Sequence, residues 1–341
     1  MTQENRYSRQ ELFQPIGITG QRKISQKHVL LIGCGALGTS IAESLVRAGI
    51  GEITIVDRDY VEISNLQRQQ LFVEQDAIEQ KPKAIAAKER LLMLRPDAVI
   101  HAHIKDITAV EMEKLVQQAD VVMDGTDNFE TRFMINDAAV KFRKPWIYGA
   151  CVGSTGAMYV IRPHETPCLR CMWSSIPAMN QTCDTAGIIS PAVQLVTAYQ
   201  TAEALKLLVE DETSIRSKLL YFDTWTNERL ELNLSKLKKP NCPSCGPTPT
   251  YPSLLVDGQM KTAVLCGRNT VQIRPNQERT VNLAELAAQI EEGGIKVKQT
   301  PYLLQFYMED FRMVFFADGR LLIHGLKDRN RAKKLYHQLF G

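Results

Sequence analysis

The sequence predicts an α/β protein: a doubly wound, Rossmann-like parallel sheet that continues into antiparallel strands, followed by a small C-terminal α+β domain. Three features carry that prediction. Short apolar runs alternate with segments of helical period through about residue 155. The first of those runs ends in a glycine-rich turn, Gly33-Cys34-Gly35-Ala36-Leu37-Gly38, which leads into a helix-period segment. Beyond residue 155 the texture becomes that of hairpins.

In chain order, residues 1–27 are polar, with a short helix expected near Tyr7–Phe13. HVLLIG (28–33) reads as a buried parallel strand, and TSIAESLVRAGI after the glycines spaces Ile41, Leu45 and Ala48 as a helix does. EITIVD is a second strand ending at Asp57, residues 58–82 are irregular, and 83–95 are helical. AVIHAHI (98–104), ADVVMDGTDN (119–128) and PWIYGACV (145–152) supply three further strands, separated by helices at 109–118 and 129–143. GAMYVIRP (156–163) looks antiparallel, a loop with Cys and Pro spans 164–184, and 190–209 form an amphipathic or buried helix. Residues 219–234 alternate as a hairpin, and the proline-rich KKPNCPSCGPTPTYP (238–252) reads as the end of a domain. Domains are therefore expected at 1–250 and 253–341. The second holds strands at 270–274, 295–298, 302–307, 311–316 and 320–324 and helices at 282–292 and 328–339.

Composition excludes several classes. The chain has 341 residues, 44% hydrophobic and 23% charged, enough to bury a full core. A net charge of +3 is too small to call for a nucleic-acid or anionic-membrane partner. No run approaches the 18 apolar residues of a membrane span, and the polar start MTQENRYSRQ lacks a signal-peptide core. The expected compartment is the cytoplasm.

The glycine turn has the context that gives Gly33-x-Gly35-x-x-Gly38 meaning, a strand before it and a helix after it. Glycines let the backbone approach a phosphate, and the helix start offers free N–H groups. Asp57, 19 residues past Gly38, can take ribose hydroxyls. Such a fingerprint alone would favour NAD. The next segment argues otherwise: Asn65, Arg68 and Lys83 bring two cations and an amide near one nucleotide, which suits a triphosphate. Asp124 and Asp127 lie at a strand's C-terminal end, where either could hold Mg²⁺ between phosphates or simply cap the next helix.

RYSRQ (6–10), GCGALG, VDRDYVEISNLQRQ (56–69), KPK (81–83) and GTDN (125–128) together resemble the ThiF/MoeB (HesA) family, which is related to ubiquitin-activating enzymes. The resemblance runs collinearly from about residue 4 to 246 and is closest to the longer ThiF-type bacterial chains. It implies Mg-ATP-dependent adenylation of the C-terminal Gly-Gly of a small ubiquitin-like sulfur-carrier protein. It also implies roles: Asp57 on the ribose, Asn65, Arg68 and Lys83 on the phosphates, Asp127 on Mg²⁺, and Arg9 reaching the partner subunit's site in a homodimer. The chemistry suits those residue types. A carboxylate already ionised at pH 7 attacks the α-phosphate, so alignment and charge neutralisation suffice and no general base is needed.

Eight cysteines in a reducing compartment point to metal or thiol chemistry rather than disulfides. Cys168-x-x-Cys171 and Cys242-x-x-Cys245 can form one closed, structural four-thiolate Zn²⁺ site that staples distant segments. The alternative is two independent or redox pairs, but a thioredoxin-type pair opens a helix after a strand and neither of these is expected to. The family carries the same pairs. Cys183 matches a family cysteine that in some members joins the activated carrier covalently; it reads equally as a plain loop residue. Cys34, Cys151 and Cys266 read as small buried residues.

The extension 253–341 lacks a rhodanese-type active loop. Its basic last helix (Lys327, Arg329, Arg331, Lys333, Lys334) reads first as a solvated face and, as a weaker idea, as a docking surface for the carrier or a cysteine-desulfurase-type sulfur donor. Two competing classes remain. A nicotinamide oxidoreductase needs a hydride-transfer acid or base near the sheet edge, and none stands out. A zinc-stapled binding module would not need Arg68, Lys83 and Asp127. Within the adenylating class, the thiamine (thiazole) carrier is favoured and the molybdopterin carrier is the alternative.

Overall fold

The computed structural model describes residues 6–173, 186–255, 261–265, 269–275 and 280–340; of residues 261 and 263–265 only the backbone is described. The chain divides into two compact units, residues 1–180 with 188–256, and residues 181–187 with 257–341.

The first unit is built on an eight-stranded sheet in the order β3-β2-β1-β4-β5-β6-β7-β8. Its strands are β1 (His28–Ile32), β2 (Glu52–Asp57), β3 (Val99–Ile104), β4 (Val121–Asp124), β5 (Trp146–Val152), β6 (Thr155–Ile161), β7 (Leu219–Asp223) and β8 (Glu228–Leu232). The pairs from β3 through β5 are parallel, and those from β5 through β8 are antiparallel. The sheet therefore changes character at residue 155, as the sequence texture predicts.

Helices cover both faces of the parallel half. They are α1 (Ser8–Glu11), α2 (Gly17–Ile24), α3 (Ala36–Ala48), α4 (Glu74–Ile78), α5 (Lys83–Leu94), α6 (Ala109–Gln118), α7 (Phe129–Lys141), α8 (Leu169–Met172) and α9 (Ser190–Val209). Strand β1 shows why its apolar run is unbroken. Val29 and Leu31 enter one core with Ile41 and Leu45 of α3 and Val196 of α9. Leu30 and Ile32 enter the other with Met112 of α6 and Ile135 of α7. A strand buried on both faces has no position left for a polar residue. Three elements depart from the expectation. A second helix, α2, lies in residues 1–27, the irregular stretch 58–82 contains the short α4, and one turn of helix, α8, interrupts the Cys-containing loop. Helix α9 follows the buried alternative, with Val193, Gln200 and Ala204 all inaccessible.

The second unit has six antiparallel strands in the order β11-β12-β13-β14-β10-β9. They are β9 (Lys261–Leu265), β10 (Thr270–Arg274), β11 (Val297–Gln299), β12 (Leu303–Met308), β13 (Phe311–Phe316) and β14 (Leu321–His324), with helices α10 (Leu283–Glu292) and α11 (Arg329–Phe340). Strand β9 was not foreseen, because its run KTAVL is short and opens on a charge. One core joins Leu286 and Ile290 of α10 and Leu335 and Tyr336 of α11 to Phe306, Phe315 and Ile323. The five basic residues at the start of α11 and just before it are exposed, and Arg331 pairs with Glu309 at 2.7 Å, as a solvated face does.

In the first unit, β1 is flanked by β2 on one side and β4 on the other, so successive crossovers wind in opposite directions from β1. Such a switch point opens a crevice beyond the carboxyl ends of the strands. Gly33 follows β1 and Gly125 follows β4. Gly33 has a φ of +89°, and a Cβ on it would stand 2.6 Å from the Gly125 carbonyl oxygen. A Cβ on Gly125 would stand 2.5 Å from the Gly33 oxygen, and one on Gly38 2.0 Å from that same oxygen. Three backbones thus touch where side chains are absent. Gly125→Ala should cost about 1–3 kcal/mol of stability, the usual penalty of overpacking. Urea unfolding measures it, and an unchanged midpoint would mean that the loops separate without strain.

Candidate functional site

The crevice is furnished by three loops and by the ends of β2 and α5. The glycine turn after β1 presents Gly35, where an added Cβ would meet nothing nearer than Gln69 Nε2 at 3.8 Å. Gly33 and Gly38 are therefore glycines for packing, while Gly35 leaves the turn's backbone open to a ligand.

Asp57 ends β2. Its Oδ2 accepts from the Cys34 N–H at 2.6 Å and its Oδ1 from the Asp59 N–H at 2.7 Å. The carboxylate so holds the second residue of the glycine turn in place. Desolvation raises its pKa above the usual carboxylate value, with Lys83 pulling the other way. Lys83, the first residue of α5, is 3% exposed and its Nζ lies 3.3 Å from Asp59 Oδ2. A lysine buried to that degree needs its carboxylate partner.

The loop after β2 carries Asn65, Arg68 and Gln69. Asn65 is 1% exposed, and its Oδ1 accepts from the Glu62 N–H at 3.1 Å. The Arg68 and Gln69 N–H groups both donate to the Asn65 carbonyl. Arg68 Nη1 turns back onto the Ser64 carbonyl at 2.9 Å.

The third loop follows β4 and separates the roles of its two aspartates. Asp124 is fully buried. Its Oδ1 accepts from the Thr126 N–H and Oγ1, and its Oδ2 accepts from Arg132 Nε at 2.8 Å. Arg132, 4% exposed, also donates to the carbonyls of Thr126 and Gly149, each at 2.7 Å. Burial works against its charge, but Asp124 and the neighbouring groups raise its pKa. Neither aspartate caps α7; Asn128 does, accepting from the Thr131 N–H at 2.8 Å. Asp127 stays exposed, with no hydrogen bond or ion pair among the described residues, while its charge reaches both Arg58 and Arg132.

The structure thus gathers Gly33, Gly35, Gly38, Asp57, Asn65, Arg68, Lys83 and Asp127 onto the loops at one edge of the sheet. Arg9, exposed on α1, makes no hydrogen bond or ion pair with these groups among the described residues. Cys183 and Cys266 lie outside the described residues. Cys34 and Cys151 are buried, as expected. Sequence reasoning passed over Arg132. Arg132 sits inside a helix-period run, and only its buried acidic partner marks it.

The four paired cysteines converge. Cys168, Cys171, Cys242 and Cys245 are all buried, with their Sγ atoms mutually within 4.8 Å. The separations are 3.8 Å for 168–171, 3.6 Å for 168–242 and 3.5 Å for 171–245. Contrary to expectation, Cys168 does open a helix: it is the N-cap of the single turn α8. Convergence with the second pair, rather than the lack of a helix, is what distinguishes the site from a redox motif. Hydrogen bonding within the thiol group holds Cys171 well below the ordinary thiol range and pushes Cys168 far above it.

Both knuckles are tied to α7. Asn136 Oδ1 accepts from the Leu169 N–H at 2.8 Å. The fully buried Asp137 accepts from Arg170 Nε at 3.1 Å, Ser244 Oγ at 2.5 Å and the Ser253 N–H at 2.9 Å.

Removing one partner of a fully buried ion pair leaves an uncompensated charge. Arg132→Ala is therefore expected to lower unfolding free energy by about 3–5 kcal/mol. Chemical denaturation tests this, and a loss under about 1 kcal/mol would show that the β4–α7 loop holds without it.

The chain matches the model of the ThiF family over residues 7–244. It is 50% identical over 336 residues to the sulfur carrier protein ThiS adenylyltransferase of Bacillus subtilis (strain 168), covering 98% of this chain and 99% of that one. The protein of the same name from Escherichia coli (strain K12) is 39% identical over 242 residues, 71% of this chain and 94% of that one. A crystal structure of E. coli MccB with MccA-N7isoASN is similar at a TM-score of 0.63 and 25% identity, over 71% of this chain and 75% of that one. On the extent of these matches, this chain belongs to the ThiF family.

Proposed function

We propose that this protein is an adenylyltransferase. It activates the C-terminal Gly-Gly carboxylate of a small ubiquitin-like sulfur-carrier protein with Mg-ATP and releases pyrophosphate. The observation that carries this reading is half-identity, end to end, to a protein named as a ThiS adenylyltransferase, in a chain whose crevice retains the cations and carboxylates the reaction needs. That similarity also favours the thiazole branch of thiamine biosynthesis over the molybdopterin carrier.

In this reading the glycine turn receives the phosphates and Asp57 the ribose. Arg68 and Lys83 neutralise charge on the triphosphate, and Asn65 contributes a polar contact to it. The carrier carboxylate attacks the α-phosphorus, the bond to the bridging oxygen breaks, and charge grows on the leaving pyrophosphate. Fixed cations stabilise that charge best when they are in place beforehand, and Lys83, held by Asp59, is such a cation. Asp127 would hold Mg²⁺; an exposed carboxylate with no hydrogen bond or ion pair among the described residues suits a hard cation that keeps several waters. Arg9 would complete the site of a partner subunit in a homodimer. Cys183 would act after adenylation, and a cysteine-desulfurase-type donor would supply sulfur.

Zn²⁺ fits the four thiols. Bonds of about 2.3 Å in a tetrahedron place sulfurs about 3.8 Å apart, and the three separations given above are 3.5 to 3.8 Å. The metal would be structural, with no open position. Residues 1–250 would form the adenylation domain and 253–341 a separate domain. A cytoplasmic location suits the reduced thiols and the sulfur chemistry, and no described helix is long and apolar enough to cross a membrane.

Two measurements test the reading. Arg68→Ala and Asp127→Ala should each lower carrier-dependent ATP–pyrophosphate exchange by at least about 100-fold, the scale of lost transition-state charge stabilisation. Exchange within a few-fold of wild type would remove that residue's role. Metal analysis of the purified full chain should find about one Zn²⁺ per chain, lost in Cys245→Ser. A folded, zinc-free wild-type protein would contradict the four-thiolate site.

A further inference from the structure

The ladder between β4 and β5 is short. It covers only Val122↔Trp146 and Met123↔Ile147 and stops before the crevice. Side chains bridge the two strands beyond that point. Arg132 comes from α7, on one face of the sheet, and links the Asp124 carboxylate to the Gly149 carbonyl. Gln200 comes from α9, on the other face, and is inaccessible to solvent. Its Nε2 donates to the Asp124 carbonyl at 3.0 Å and to the Ile147 carbonyl at 3.2 Å, while its Oε1 is buried with no hydrogen-bond partner among the described residues. Turned over, the amide would set that oxygen against two carbonyl oxygens, so the surroundings select this orientation. What Gln200 contributes, it contributes through its donors.

Gly149 makes the bridge possible. A Cβ there would stand 2.4 Å from Gln200 Nε2 and 2.5 Å from its Cδ, so the amide fills the place of a side chain that β5 omits. The Asp124 carbonyl that it meets belongs to the peptide leading into Gly125, and the N–H of that same peptide donates to the Ile32 carbonyl at 2.8 Å. The last peptide plane of β4 is therefore pinned at both ends, to β1 through its N–H and to Gln200 through its oxygen. Rotation of that plane would swing the loop 125–128. Thr126 is in turn tied to Asp124 and Arg132. Asp127 is then the first side chain beyond the strand with no hydrogen bond or ion pair among the described residues. Its direction is inherited from the peptide that Gln200 holds.

We infer that Gln200 is a positioning residue of the adenylation site. It fixes the direction in which the β4 loop presents Asp127 to the metal and the triphosphate, and, being inaccessible, it touches neither. The inference rests on the adenylation reading above and deepens it. Gln200 acts on the metal-dependent part of nucleotide binding and leaves the part that Asp57 and the glycine turn supply. A reaction governed by alignment is sensitive to small displacements of this kind.

The test is calorimetric titration of the full-length protein with ATP in Mg²⁺, with ATP in EDTA and with AMP, for wild type, Gln200→Met and Gly149→Ala. Gln200→Met keeps the volume and removes both donor bonds. Gly149→Ala keeps the amide and displaces it from the opposite side, which gives a second reading should the first variant not fold. In wild type, Mg²⁺ should tighten ATP binding. Each variant should lose at least about fivefold of that Mg²⁺ advantage, with affinity for AMP and for ATP in EDTA within about twofold of wild type. The apparent Mg²⁺ constant of pyrophosphate exchange should rise by the same factor. A folded variant with the full wild-type advantage would overturn the inference alone. Equal losses for AMP, or failure of both variants to fold, would also overturn it, showing that Gln200 merely holds the sheet together. Wild-type ATP binding that ignores Mg²⁺ would overturn it by removing the metal from Asp127. Wild-type protein that binds neither nucleotide would overturn the adenylation reading and this inference with it.

Discussion

Everything at the crevice depends on the close approach of two backbones at the ends of β1 and β4. Gly33, Gly38 and Gly125 meet with no room for a single Cβ, so the turn that would hold phosphates and the loop that carries Asp127 form one rigid piece. Neither loop is positioned by its own hydrogen bonds alone. The Asp57 carboxylate secures the first from the side of β2, and the buried Asp124–Arg132 pair secures the second from the side of β5. The reaction proposed for this protein is mainly one of alignment, and a site whose loops cannot shift independently fits that demand.

Helix α7 extends the rigidity outward. Its first turns carry Arg132, which holds the β4 loop. About one turn later Asn136 and Asp137 hold the backbone and side chains around both cysteine knuckles. The four-thiol cluster therefore lies in the first unit, on the same helix that begins beside Asp127. A metal there would brace the far end of α7 while taking no part in chemistry. Asp137, with no exposure and several donors, organises that end whether or not the thiols are ligated.

Much of this was legible in the residues. The doubly wound sheet was visible because parallel strands buried on both faces read as unbroken apolar runs, and Gly33-x-Gly35-x-x-Gly38 stood between strand and helix. Asp57, Lys83 and the paired cysteines declared themselves by type and spacing. What was not legible was set by contacts distant in sequence. The three glycines look alike as letters, and only the close approach of Gly125 to Gly33 and of the Gly33 carbonyl to Gly38 separates the packing pair from the open one. Asp124 and Asp127 look interchangeable until Arg132 claims the first. Cys168 opens a helix too short to leave a periodic signal, and strand β9 is too brief and polar to announce itself.

The central claim is that this crevice joins the C-terminal carboxylate of a carrier to AMP. ATP–pyrophosphate exchange with Mg²⁺ tests it most directly, run with a thiazole-type Gly-Gly carrier, with a molybdopterin-type carrier and with neither. The account predicts exchange that requires a carrier and is strongest with the thiazole type. Exchange independent of any carrier, or none with either carrier in protein that binds ATP, would contradict it.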